Sequence, residues 1–170
     1  RIAQIHPGCE VDEIEEFVEP ANWPGLLSAT PQVVIDACDK LAAKVAMAAW
    51  AMQQRAGFIT VGAAGGKLQG EAGGAADITQ YTSDARSAQL RYRLRRQQGD
   101  QTGGRPRAAA SALSRENAVM PAACEVGDDM DGSLNCHGYG STVAVTATFG
   151  LCAAGWVLDQ IARGAEKTTL

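Results

Sequence analysis

Apolar positions in the first third of the chain follow two different periods. Val33-Val34-Ile35-Asp36-Ala37-Cys38-Asp39 is a β-branched run that ends in acid, which suits a strand buried on both faces of a parallel sheet. From Lys40 to Ala56 the period changes: Leu41, Val45, Ala48, Ala49 and Met52 fall on one helical stripe in an alanine-rich segment. Gly57 stands where a C-terminal cap is expected. Phe58-Ile59-Thr60-Val61 then reads as a second buried strand. Strand, helix and strand in such close succession predict a βαβ unit, and therefore a parallel sheet.

The flanks are less regular. Ile2 and Ile5 share one face of a helical turn that Pro7-Gly8 ends. This placement leads to the expectation that a segment upstream of Arg1 belongs to the same domain. Cys9 to Val18 alternates imperfectly with period two and predicts a polar, peripheral strand; Pro20, Pro24, Gly25 and Pro31 then mark a loop. Gly62 through Gly74 is glycine-rich, but it is neither GxGxxG nor a Walker loop, so by itself it reads as a turn. Ser83-Asp84 caps a predicted helix that runs to about Gln98 with Leu90 and Leu94 inward, and a loop follows to Arg107. A strand and its exit are expected between Ala108 and Pro121, then a turn-rich stretch to Gly140 whose acids do not match a calcium loop. Ser141 to Ile161 carries only Asp159 as a charge and is long enough to span a membrane. Thr142, Thr146, Thr148, Gly150 and Gly155 dilute it and no basic flank precedes it, so a helix buried in the core or in a subunit interface is the expectation.

Composition narrows the class. The 170 residues, 46% hydrophobic and 20% charged, suit one soluble globular domain, and a net charge of −4 excludes a uniformly basic nucleic-acid coat. Arginine is nevertheless concentrated: seven lie between Arg86 and Arg107 against the single acid Asp100. Arg86, Arg91, Arg93, Arg95 and Arg96 are either a landing site for phosphates or a solvated helix face. Five cysteines, an odd number without a CxxC pair, argue against both a disulfide framework and a zinc ribbon, and suggest a reducing, cytoplasmic setting.

Several stretches together resemble the tRNA threonylcarbamoyladenosine dehydratases, a branch of the E1-like adenylating family that includes ThiF, MoeB and HesA proteins. They are Val34-Ile35-Asp36-Ala37-Cys38-Asp39 with Lys44, Ile59-Thr60-Val61-Gly62-Ala63-Ala64-Gly65-Gly66, Leu113-Ser114-Arg115-Glu116, Asn135-Cys136-His137-Gly138-Tyr139-Gly140-Ser141 and Val145-Thr146-Ala147-Thr148-Phe149-Gly150. The resemblance implies an α/β fold with a Rossmann-like, mostly parallel sheet of the E1-like activating type, whose N-terminal nucleotide-binding half lies outside this chain. It implies one domain over residues 1–170: a βαβ portion at 1–66, a substrate-side insertion and loop at 67–140, and a buried C-terminal helix at 141–163.

The implied activity is ATP- and magnesium-dependent adenylation of the carboxylate of N6-threonylcarbamoyladenosine in tRNA, followed by cyclisation with loss of water. Residue by residue, the resemblance puts Ala37, Cys38, Asp39 and Lys44 at the nucleotide and Asp39 beside magnesium. Asp39 also stands where a helix N-cap would, and both readings remain open. Asp36, inside the strand, is expected to be a structural hydrogen-bond acceptor. Cys136 matches a loop thiol that some relatives use covalently; packing is the alternative role. The partners implied are tRNA, a second copy of the chain in a homodimer, and a sulfur-relay protein, with no membrane. Three departures stand out. The family's opening glycine loop falls upstream of Arg1, Ala63 replaces a usual glycine, and Ala108-Ala109-Ala110-Ser111 lacks a usual cysteine. An E1-like activator of a ubiquitin-like sulfur carrier and a non-catalytic binding fragment are the competing readings.

Overall fold

A computed structural model of the chain describes residues 1–77, 85–98, 109–119 and 140–168. In chain order the elements are α1 (Ile2–Ile5), β1 (Val33–Asp36), α2 (Leu41–Gln54), β2 (Gly57–Val61), a 3₁₀ turn (Gly70–Ala72), β3 (Gly73–Asp77), α3 (Ala85–Gln98), β4 (Ala109–Ser114) and α4 (Val143–Thr168). The strands form one sheet in the order β1-β2-β4-β3. β1 runs parallel to β2 with Val33 opposite Gly57, β2 runs parallel to β4 with Phe58 opposite Ala109, and β3 closes the edge antiparallel to β4. The fold is α/β with a mixed, mostly parallel sheet, and the βαβ unit is β1-α2-β2.

Side-chain alternation along β2 divides the core. Phe58 faces α2 and α3, where it packs with Ala43, Val45, Met47, Ala48, Ala51, Leu90 and Leu94. Ile59 faces the other way, toward α4, with Ala110, Ala112 and Ala153. Phe58 and Ile59 are fully buried, and burial of each contributes about 1.5–3 kcal/mol. Leu90 and Leu94 anchor α3, as its stripe predicts.

Three local expectations are corrected. Residues 9–18 form no strand and are almost wholly exposed; an acid-rich segment with no partner strand among the described residues lacks the ladder bonds that would hold it extended. The C-cap of α2 is Arg55, not Gly57. Arg55 adopts the left-handed conformation at φ 58°, and the Ala56 amide returns to the Ala51 carbonyl, closing a Schellman-like turn that leaves Gly57 free to open β2. The helix expected over 141–163 extends to Thr168 and is buried along one face only. Val145, Phe149 and Ala153 are inside, whereas Val143, Leu151 and Leu158 are largely exposed. By length and apolar composition alone, Val143–Gly164 would suffice to cross a membrane.

The start of α4 packs closely on the 3₁₀ turn. A Cβ on Gly70 would lie 2.5 Å from the Ala144 carbonyl oxygen, so only glycine permits this approach.

Candidate functional site at the carboxyl end of the parallel strands

β1 ends at Asp36, and the chain turns through Ala37, Cys38 and Asp39 before α2 begins. Asp36 is buried, whereas Ala37 and Asp39 are exposed. The Asp36 carboxylate accepts four hydrogen bonds. Oδ2 takes the Lys44 ammonium at 3.0 Å and the Thr60 hydroxyl at 2.7 Å. Oδ1 takes the Cys38 amide at 3.1 Å and the Cys38 thiol at 2.8 Å. This is the structural acceptor expected of Asp36.

Lys44 points from the first turns of α2 into the protein. Besides Asp36, its ammonium donates to Thr60 Oγ1 at 3.1 Å and to the Val61 carbonyl at 3.1 Å. Three donors meet three acceptors, so the residue predicted to face the nucleotide is engaged within the body of the domain. A charged pair as buried as Lys44 and Asp36 is tolerated only when its remaining donors and acceptors are satisfied, as they are here.

Asp39 is not the N-cap of α2. Lys40 holds that position, and no side chain makes the cap hydrogen bond. Asp39 therefore stands exposed just beyond β1, where ligands of open α/β sheets bind. The Cys38 thiol is pushed up to about 12 from its ordinary 9.0, first by burial and then by its hydrogen bond to Asp36. It is thus a proton donor to the carboxylate and a poor nucleophile at neutral pH.

The glycine-rich loop leaves β2, whose carboxyl end neighbours that of β1 in the sheet. Gly66 has φ 70°, its amide bonds to the Gly140 carbonyl, and its own carbonyl accepts the Val119 amide. Glu116, just past β4, accepts the Leu68 and Gln69 amides at 2.9–3.0 Å. Lys67 is buried with its ammonium 5.9 Å from the Phe149 ring centroid. Glu116 and Thr60 belong to segments that the sequence comparison had marked, but neither had been given a role.

On α3, Arg93, Arg95 and Arg96 are exposed, Arg91 is half-buried, and Arg96 lies 5.8 Å from the Tyr92 ring. Arg86 lies in the first turn of the same helix. The helix itself contains no acidic residue. Cys136 and His137 fall outside the described residues. Among the described residues no three His, Cys, Asp or Glu side chains converge on a metal. A magnesium ion that takes one carboxylate along with substrate phosphates needs no such cluster, so exposed Asp39 fits that arrangement.

A mostly parallel α/β sheet flanked by helices, with an exposed acidic turn at the carboxyl end of β1, has the form of part of a Rossmann-like sheet. No family model matches the chain. Two curated relatives do, both named tRNA threonylcarbamoyladenosine dehydratase. The protein of Haemophilus influenzae is 29% identical over 163 residues, covering 95% of this chain and 62% of its own length. That of Escherichia coli is 29% identical over 175 residues, covering 98% and 65%. Among solved structures, TcdA (CsdL) superposes with a TM-score of 0.78 at 30% identity, covering 97% of this chain and 64% of its own. E. coli TcdA in complex with ATP gives 0.77 at 29% identity, covering 97% and 62%. The chain is therefore a homologue of the tRNA threonylcarbamoyladenosine dehydratases and shares the TcdA fold. It spans less than two thirds of the length of the relatives it matches.

Proposed function

We propose that this chain is the part of an ATP-dependent tRNA threonylcarbamoyladenosine dehydratase that presents the Ala37–Asp39 turn to the nucleotide. The observation that carries the reading is the exposed Asp39 at the carboxyl end of β1, in a fold shared with a protein crystallised with ATP. The carboxylate of N6-threonylcarbamoyladenosine is a poor electrophile. Transfer of AMP onto it, with pyrophosphate leaving, makes its carbonyl open to attack from within the same modification; AMP then departs, and the net change is loss of water. Magnesium supplies charge neutralisation on the polyphosphate, and Asp39 is the residue of this chain that would hold it. Ala37 and Cys38 line the nucleotide with backbone, and the engaged Cys38 thiol takes no covalent part.

The exposed arginines of α3 suit the tRNA backbone. Phosphate contacts release counterions, so the Arg93→Glu/Arg95→Glu variant, at two exposed positions, should bind tRNA more weakly and flatten the salt dependence by about two units of log–log slope. A salt titration of the full-length protein measures this, and equal slopes would show an ordinary solvated face. The apolar outer stripe of α4, with Leu151 and Leu158, offers a second copy a surface for a homodimer.

The activity itself is tested by incubating the full-length protein with ATP, magnesium and tRNA bearing the modification. The nucleoside should lose one water as pyrophosphate appears. Pyrophosphate release that depends instead on a ubiquitin-like sulfur carrier would replace the tRNA carboxylate with a protein one.

A further inference from the structure

We infer that Lys44 and Thr60 are positioning residues for the nucleotide, which fix the Asp36 carboxylate and, through it, the turn that carries Asp39; the inference rests on the function proposed above. Neither residue reaches the exposed turn itself. Lys44 binds the carboxylate at 3.0 Å and the Val61 carbonyl at 3.1 Å, so one ammonium joins the last residue of β1 to the last residue of β2. Thr60, directly opposite Asp36 in the sheet register, donates to the same carboxylate oxygen and accepts from Lys44. With Oδ2 fixed from two sides, Oδ1 is aimed at the Cys38 amide and holds the backbone one residue before Asp39. An isolated Asp side chain rotates freely about two torsions; this one has a single arrangement that satisfies all its partners.

Stability alone does not call for such a network. Buried ion pairs can be replaced by well-packed apolar residues with little loss or even a gain, whereas directional control of a turn needs directional bonds. The network also lies in the place where direction matters. It sits beneath the strand ends and is shielded from solvent, while Ala37 and Asp39 above it are exposed. A nucleotide that reads the turn by backbone and by one carboxylate tolerates little displacement of either.

The test uses the full-length protein and two readouts. Thr60→Val removes one hydroxyl but keeps the Lys44–Asp36 pair, so it retains the fold; Lys44→Met is the stronger second variant. Without nucleotide, hydrogen exchange of the Cys38 amide should accelerate in Thr60→Val by about tenfold, as expected when a local opening becomes easier. With Mg·ATP, the dissociation constant should rise by about tenfold, and Asp39→Asn should cost less in the Thr60→Val background than in the wild type, because residues that act through one element are non-additive. A purely structural role would leave the two substitutions additive. Unchanged Cys38 exchange, or additive effects in a wild-type protein that binds ATP, overturns the positioning role. A wild-type protein that binds no ATP overturns the functional reading beneath it instead.

Discussion

On the α2 and α3 side of the sheet, Asp36 and Thr60 stand in the same layer as Val34 and Phe58, and Lys44 descends from α2 to meet them. On the α4 side the strands present Ile59, Val61, Ala110 and Ala112, and the helix answers with Ala153, Trp156 and Val157. The first layer fixes direction, since each of its polar contacts specifies an angle as well as a distance. The second fixes only proximity, through apolar contacts and, at the start of the helix, the bare backbone of Gly70. Precision is thus concentrated on the side that carries the turn at the end of β1, and close packing on the side that carries the long helix.

Breaking the directional layer should have the largest effect. Lys44→Met leaves a buried carboxylate without its cation and should cost about 3–5 kcal/mol of stability by urea unfolding. Adding Asp36→Asn should recover part of that loss, since the remaining amide carries no charge. A loss below about 1 kcal/mol for the single variant would mean the pair is weakly held, like a surface salt bridge.

The packing layer is tested by Gly70→Ala. The new methyl would meet the Ala144 carbonyl, which belongs to α4 and has little room to yield, so overpacking should cost about 1–3 kcal/mol in thermal or chemical unfolding. No loss would show that α4 is loosely seated at its start.

A smaller effect sharpens the contrast through pH. The folded Cys38 thiol lies near 12 rather than 9.0, so the folded state keeps a proton that the unfolded chain sheds first. Stability from this group is complete below about pH 9 and is lost as pH rises toward 12. Cys38→Ser should remove that part of the alkaline slope. Site-resolved alkylation should find Cys38 slower than exposed Cys9 at neutral pH, and equal rates would contradict the burial of the thiol.

Much of this architecture was legible from residues. The β-branched run at 33–36, the stripe of α2 and the run at 58–61 specified the parallel unit, because each has a length and period that only one element satisfies. β3 was not legible: Gly73-Gly74-Ala75-Ala76-Asp77 has neither β-branching nor alternation, and it is a strand only because β4 offers it a ladder. The 9–18 segment failed in the opposite sense, having an alternating pattern but no strand paired with it among the described residues. At the site, Asp36, Asp39 and Lys44 were visible as a motif. The structural part of Asp36 was legible too; that of Lys44 was not, because it depends on which way a lysine on α2 turns. The resemblance puts Asp39 and Lys44 together at the nucleotide, but the structure separates the exposed Asp39 from the buried Asp36–Lys44 pair.

In the proposed function, the turn at the end of β1 meets the nucleotide through Asp39. Calorimetric titration of Mg·ATP into full-length wild-type protein and Asp39→Asn tests it most directly, because the substitution removes charge while keeping shape. Asp39 is exposed and the substitution keeps its shape, so the variant should remain folded, which its unfolding transition checks. ATP affinity should fall by about tenfold or more, the scale of one lost charge-assisted contact. Equal affinity in a folded variant would place the nucleotide elsewhere and contradict the account.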